Sequence, residues 1–175
     1  LVFDQKLCDM DTLIKALKAN WKGYEILLAH AKNRAPKYGR DDDAADALAL
    51  RVMHDWTEEA WKHKTVSTKA QYRPGMLSWN YWIGSGFVLP ATPDGRAHGQ
   101  FLSNAICPVN GADTNGPTGN ANSVGKALGG RNELGVMENM LPNGASHTIT
   151  LSPSLMRDQE HREKLKAFLK GYIHN

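Results

Sequence analysis

Cysteine is scarce in this chain. Two residues, Cys8 and Cys107, stand far apart with no Cys-x-x-Cys companion, which argues against a disulfide framework and a zinc ribbon. Reduced thiols in a cytoplasmic setting fit that usage. No apolar run is long enough for a membrane span, and no signal-peptide pattern opens the chain. Charge of one sign is also missing. The 21 Lys and Arg against 18 Asp and Glu leave +3, spread along the sequence, and no Arg–aromatic interleaving is present, so nucleic acid is not an expected partner. There is no internal repeat and no low-complexity segment.

What remains is globular. Hydrophobic content of 41% and charged content of 22% over 175 residues suit one domain of ordinary size. Five Trp and five Tyr require a core. Leu1-Val2-Phe3 opens in mid-pattern and Gly171 to Asn175 stops just after a helical pattern, so a piece of a longer protein is expected.

Residues 10–33 show a helical period through Leu13, Leu17, Trp21, Tyr24 and Leu28, with Asp9 or Asp11 as cap and Pro36 beyond the end. Residues 42–63 repeat the form. Asp41, Asp42 and Asp43 sit at the positive end of the helix dipole, and Ala45, Leu48, Val52, Met53, Trp56 and Ala60 form the stripe. Two such helices suggest an antiparallel pair laid over another surface. Trp79 to Leu89 is dense in aromatic and β-branched residues, with Gly84 and Gly86 inside it, and reads as a buried strand. Residues 90–130 read as a long loop. A second strand is expected over His147–Leu151 and a last helix over Asp158–Tyr172.

The chemistry-bearing groups each have a plain reading. Asp94-Gly95-Arg96 either presents a guanidinium to an anion or is a turn whose Arg is paired internally; turn chemistry favours the second. Gly84-Ser85-Gly86 is too short for a phosphate loop and lacks the context of a nucleophile elbow. Asn110, Asp113 and Asn115 alternate like calcium ligands but lack the closing Glu, so side chain–backbone turns are favoured. His147 is solitary, His54 and His63 lack ligand spacing, and Glu58-Glu59 reads as a solvated helix edge. Cys107, between Ile106 and Pro108, reads as a buried inert thiol, and Cys8 as structural. No catalytic residue and no metal ligand follow from motifs alone.

The ordered set Tyr72-Arg73-Pro74-Gly75, Ala91-Thr92-Pro93-Asp94-Gly95-Arg96, Leu102-Ser103-Asn104, Gly111-x-Asp113-Thr114-Asn115-Gly116-Pro117-Thr118 and Asn122-Ser123-Val124-x-Lys126 resembles the glycyl radical enzymes, the pyruvate formate-lyase family. Ala35-Pro36-Lys37-Tyr38-Gly39 upstream and Asn143-Gly144-x-Ser146-His147-Thr148 downstream extend the resemblance over nearly the whole chain. It implies an α/β fold: part of a ten-stranded barrel of glycyl radical enzyme type with outer amphipathic helices. Residues 1–70 would be an outer helical pair, 72–90 a barrel strand, 91–145 the long loop region, and 146–175 a strand and helix. It also implies a backbone glycyl radical, installed by a separate radical S-adenosylmethionine activating enzyme, and a cysteine that carries it to substrate. Neither the Arg-Val-x-Gly-Tyr motif nor the cysteine loop is in this stretch, so no cofactor is expected to be bound by it.

Leu102 to Pro108, Lys126 to Gly130 and Asn143 to Thr148 look most like the fumarate-adding branch, the benzylsuccinate and alkylsuccinate synthases. That resemblance implies C–C bond formation between a hydrocarbon and fumarate, and a homodimer or a hetero-oligomer with small accessory subunits. Arylacetate decarboxylases, other glycyl radical lyases including dehydratases, and a non-catalytic degenerate homologue are the alternatives. In a barrel strand, alternate side chains face the lumen. Ser85, Phe87 and Leu89 would then share a substrate-facing side, the last two as an apolar wall; packing of the same residues against outer helices is the competing reading.

Overall fold

The computed structural model describes residues 1–131, 137–139, 141 and 143–174. Its elements in chain order are α1 (Met10–Lys18), α2 (Glu25–Asn33), α3 (Asp43–Trp61), α4 (Tyr81–Val88), α5 (Gly116–Leu128), the ribbon β1 (Gly129–Arg131) and β2 (Met137–Asn139), a 3-10 turn (Pro153–Met156) and α6 (Gln159–His174). β1 and β2 pair antiparallel, with Gly130 opposite Glu138. Beyond that ribbon, the described residues carry only isolated bridges, Lys64 with Gln71 and Met76 with Ala145.

The single period over residues 10–33 breaks into two helices. Asp9 caps α1 by accepting from the Thr12 N–H at 2.7 Å. The helix then ends in a Schellman arrangement. The Trp21 N–H reaches the Ala16 carbonyl (2.8 Å) and the Asn20 N–H the Leu17 carbonyl (3.0 Å), with Asn20 left-handed at φ 51°. Trp21 follows at φ 67°, an unusual place for a bulky residue. Its ring is nonetheless buried with Leu13, Ala16, Ala31 and Ala91 in one of two small cores.

Three further expectations are corrected. Residues 81–88 are helix α4, not a strand. Inside the expected long loop, residues 116–128 are helix α5. Residues 147–151 carry no regular secondary structure, and none of them pairs as a strand. On α3, the buried positions are Asp46 and Thr57. The apolar stripe Leu48, Val52 and Trp56 is 52%, 52% and 54% exposed, so it lies away from this segment's own core.

α5 forms despite four glycines and asparagines in its first seven residues because its small face fits α3. Gly119, Asn120, Ser123, Val124 and Ala127 are buried, and a Cβ at Gly119 would stand 3.0 Å from the Asn115 side chain. Val124 and Ala127 meet Ile106, with Ala49, Met53, Met76 and Tyr38 around them, to make the second core. Polar stitches close the seam. Ser123 Oγ accepts from the Asp41 N–H (2.9 Å), and Asn122 donates to the Asp41 carboxylate (2.8 Å). Lys126 Nζ lies 2.6 Å from both Asp41 and Asp43 and 3.7 Å from the buried Asp46.

Candidate functional site

The turn after α4, Thr92 to Arg96, organises the region. The Gly95 N–H donates to the Thr92 carbonyl (3.1 Å), and the Thr92 N–H to the Arg96 carbonyl (3.0 Å). Thr92 Oγ1 donates to the Asp94 carboxylate. Gly95 holds φ +100°, and a Cβ there would lie 2.7 Å from the Lys32 stem, so both backbone and packing demand glycine. Arg96 is 4% exposed. It donates to the carbonyls of Gln100 (2.8 Å), Ala97 (3.2 Å) and Pro90. Its own carbonyl accepts from the Trp21 indole N–H at 3.3 Å. The guanidinium is therefore a clamp for the 90–100 loop, as the internal-pairing reading holds.

Beside this turn lies a cleft of about 580 Å³, whose charged lining is Lys32, Lys37, Arg40 and Arg96 against Asp94. Lys37 is 8% exposed and donates to the Asp94 carbonyl at 2.9 Å. Burial lowers its pKa; the Asp94 charge opposes the shift, and Arg40 and Lys32 add to it. Arg40 spends Nε on the Ala112 carbonyl (2.6 Å). Lys37 and Asp94 also border an apolar groove lined by Leu13, Ile14, Leu17, Tyr38 and Pro93.

A second constellation joins α5 to α6. Asn120 Nδ2 donates to Asp113 (3.2 Å), which fixes its amide and aims Oδ1 at His147 Nε2, 2.9 Å away. His147 Nε2 must then carry the proton, so neutral Nδ1 accepts from the Tyr172 hydroxyl at 2.8 Å. Burial lowers the His147 pKa, and burial raises that of Tyr172. Cys107 is buried nearby; its sulfur accepts from the Thr148 N–H (3.1 Å). Tyr38 donates to the Ile106 carbonyl (2.9 Å), and burial raises its pKa.

Of the residues expected from sequence, Ser85, Phe87 and Leu89 are not drawn together. Ser85 and Phe87, two apart on helix α4, point to different faces, and Leu89 lies just past its end in extended backbone, so the three do not form one strand face. The Ser85 carbonyl accepts from the Leu89 N–H to close α4. Phe87 is 59% and Leu89 43% exposed, and Phe87 meets Phe101 edge-on at 6.3 Å. None of the three lines a cleft described above. Asp113 and Asn115 bond to Asn120 and to the Arg40 carbonyl, as turn and seam contacts. His147 was legible only as a solitary residue, because its partners lie 25 and 27 positions away. Lys37 carried no signal beyond its place in a Pro-Lys-Tyr-Gly loop.

The fold of this chain occurs in solved dehydratases and in a further glycyl radical enzyme. The chain is similar in fold to hydroxyproline dehydratase of Clostridioides difficile with trans-4-hydroxy-L-proline bound: TM-score 0.86, 33% identity, 99% of this chain and 21% of that one. The curated trans-4-hydroxy-L-proline dehydratase of that organism is 34% identical over 172 residues, which is 98% of this chain and 20% of the relative. Isethionate sulfite-lyase of Desulfovibrio desulfuricans is 30% identical over 174 residues, 98% of this chain and 20% of that protein. A glycyl radical enzyme from Archaeoglobus fulgidus matches with TM-score 0.78 and 30% identity, over 94% of this chain and 20% of that one. The family described as Pyruvate formate lyase-like matches residues 1–85. Sequence and fold together put the chain in the pyruvate formate lyase-like family of glycyl radical enzymes. It spans about one fifth of the length of the curated relatives it matches. Among the described residues, no helix is long and apolar enough to cross a membrane.

Proposed function

We propose that the whole protein is a glycyl radical lyase of the dehydratase or sulfite-lyase kind, acting on a small polar substrate, and that this stretch is part of the scaffold of its barrel. The observation that carries the reading is the match of nearly the whole chain to a hydroxyproline dehydratase in both sequence and fold. Fumarate addition, suggested by the loop motifs, loses ground on two counts. The relatives that cover the chain eliminate rather than join, and the hydrocarbon wall of Phe87 and Leu89 has no strand to carry it.

The glycyl radical, installed elsewhere in the protein by an activating enzyme, would supply hydrogen-atom abstraction. What these residues contribute is support: Arg96 clamps the loop, Trp21 anchors it to α1, and the His147 network ties α5 to α6. No catalytic residue is assigned to them. The exposed stripe of α3 and the exposed Phe87 and Leu89 fit this role as faces covered by the rest of the fold.

The test is anaerobic activation of the full-length protein, followed by trans-4-hydroxy-L-proline, isethionate or a vicinal diol in parallel with labelled fumarate plus toluene. Elimination product without a succinate adduct is expected. A succinate adduct without elimination would restore the fumarate-adding branch. Absence of any protein radical by electron paramagnetic resonance after activation would favour a degenerate homologue.

A further inference from the structure

We infer that the cleft between α2 and the 92–114 loop is a binding site for a multiply charged oxyanion, a phosphate or sulfate group, held by Lys32, Lys37 and Arg40. The first ground is charge. Four cationic side chains line the cleft against one carboxylate, and that carboxylate already accepts from Thr92. Both terminal nitrogens of Arg96 are spent on carbonyls, which leaves the other three cations for an incoming ligand.

The second ground is unused donor capacity. Lys37 has three ammonium protons and gives one to the Asp94 carbonyl. Arg40 gives Nε to the Ala112 carbonyl, and its two terminal nitrogens have no protein partner among the described residues. A guanidinium in that state offers the two-pronged edge that oxyanions prefer. Lys32 has no ion-pair partner among the described residues, and its stem lies over Gly95, which keeps it at the rim.

The third ground is energetic. A lysine more than nine-tenths removed from solvent, with Arg40 and Lys32 near it and Asp94 as the one carboxylate set against these cations, favours a further counter-charge. The neighbouring apolar groove does not provide one, since Asp94 is its sole carboxylate. A bound dianion satisfies the open donors of Lys37 and Arg40 and reverses the burden on Lys37.

The probe is inorganic phosphate, and in a second arm inorganic sulfate, titrated by calorimetry into the unactivated full-length protein at constant ionic strength set with chloride. No radical and no turnover are needed, so failure here is separable from failure of the lyase reading. Saturable binding of one phosphate per chain is expected, with Lys32→Met and Arg40→Gln each weakening it by about tenfold. Lys32 is exposed, so its variant folds even if Lys37→Met does not. Lys166→Met on α6, outside the cleft, should bind as the parent does. Absence of saturable binding overturns the proposal, and so do Lys32 and Arg40 variants that bind as tightly as the parent.

Discussion

At the scale of single residues, the 90–100 loop depends on Arg96 because its guanidinium serves the Pro90 and Gln100 carbonyls, which have no other donor among the described residues. A lysine reaches one of them with a point charge and leaves the others unpaired in a dry place. Arg96→Lys should therefore cost about 1–3 kcal/mol in the denaturant midpoint of the full-length protein. A change below a few tenths would mean that water, not the guanidinium, serves those carbonyls. Gly95→Ala tests the same turn from the backbone side. At φ +100° a Cβ is strained, and the Lys32 stem stands 2.7 Å from where it would go, so a loss of about 1–2 kcal/mol is expected in the same unfolding experiment. The Asp-Gly turn was readable from sequence, since the pair announces a positive φ. Its clamp was not, because Arg96 pairs with carbonyls whose direction only the folded loop defines.

At the scale of elements, the break after α1 is the informative one. Asn20 sits left-handed at the helix end and its side-chain oxygen accepts from the His98 N–H at 2.8 Å. Two terms are thus separable. Asn20→Gly loses the hydrogen bond but keeps the backbone easy, whereas Asn20→Ala loses both. The alanine variant should be less stable than the glycine variant by about 1 kcal/mol, measured by chemical denaturation; equal variants would remove the left-handed cap from the account. The apolar period ran on through Trp21, Tyr24 and Leu28 and masked this stop, though asparagine is a known ending. α4 was misread for a different reason. Tyr81 to Val88 is short and apolar apart from Ser85 and two glycines, so periodicity cannot separate strand from helix. What decides is contact: Gly86 lies against the Gln100 carbonyl, 2.5 Å from a would-be Cβ, and the Trp82 carbonyl, one helical turn earlier, accepts from the Leu102 N–H. α5 was hidden by its own composition, since Gly119 and Asn120 signal loop locally and become helical only against α3. The capped start at Asp9 was legible because its partner lies three residues away, and the start of α3 because Asp41, Asp42 and Asp43 mark the positive end of its dipole.

At the scale of the whole molecule, the join between α5 and α6 runs through one titratable ring, and that makes it sensitive to pH. His147 faces Asn120 on α5, which is held by Asp113, and Tyr172 on α6. Its pKa lies below the usual 6.5 because burial disfavours the charged ring. In the unfolded chain the ring takes up a proton near 6.5, while the folded protein resists until lower pH. The unfolded state therefore binds more protons in that window. Stability is complete above about 6.5 and falls as the pH drops toward the depressed folded value. Unfolding midpoints measured at pH 8 and pH 5.5 should show this loss in the parent and a smaller one in His147→Gln, whose amide does not titrate. Tyr172→Phe provides the control. It leaves Nδ1 unpaired and should cost about 1 kcal/mol at both pH values, yet it should keep the slope, since burial and not the phenol sets the shift. If His147→Gln retains the full acid loss, the proton is taken up elsewhere and the ring is a passive link between the two helices.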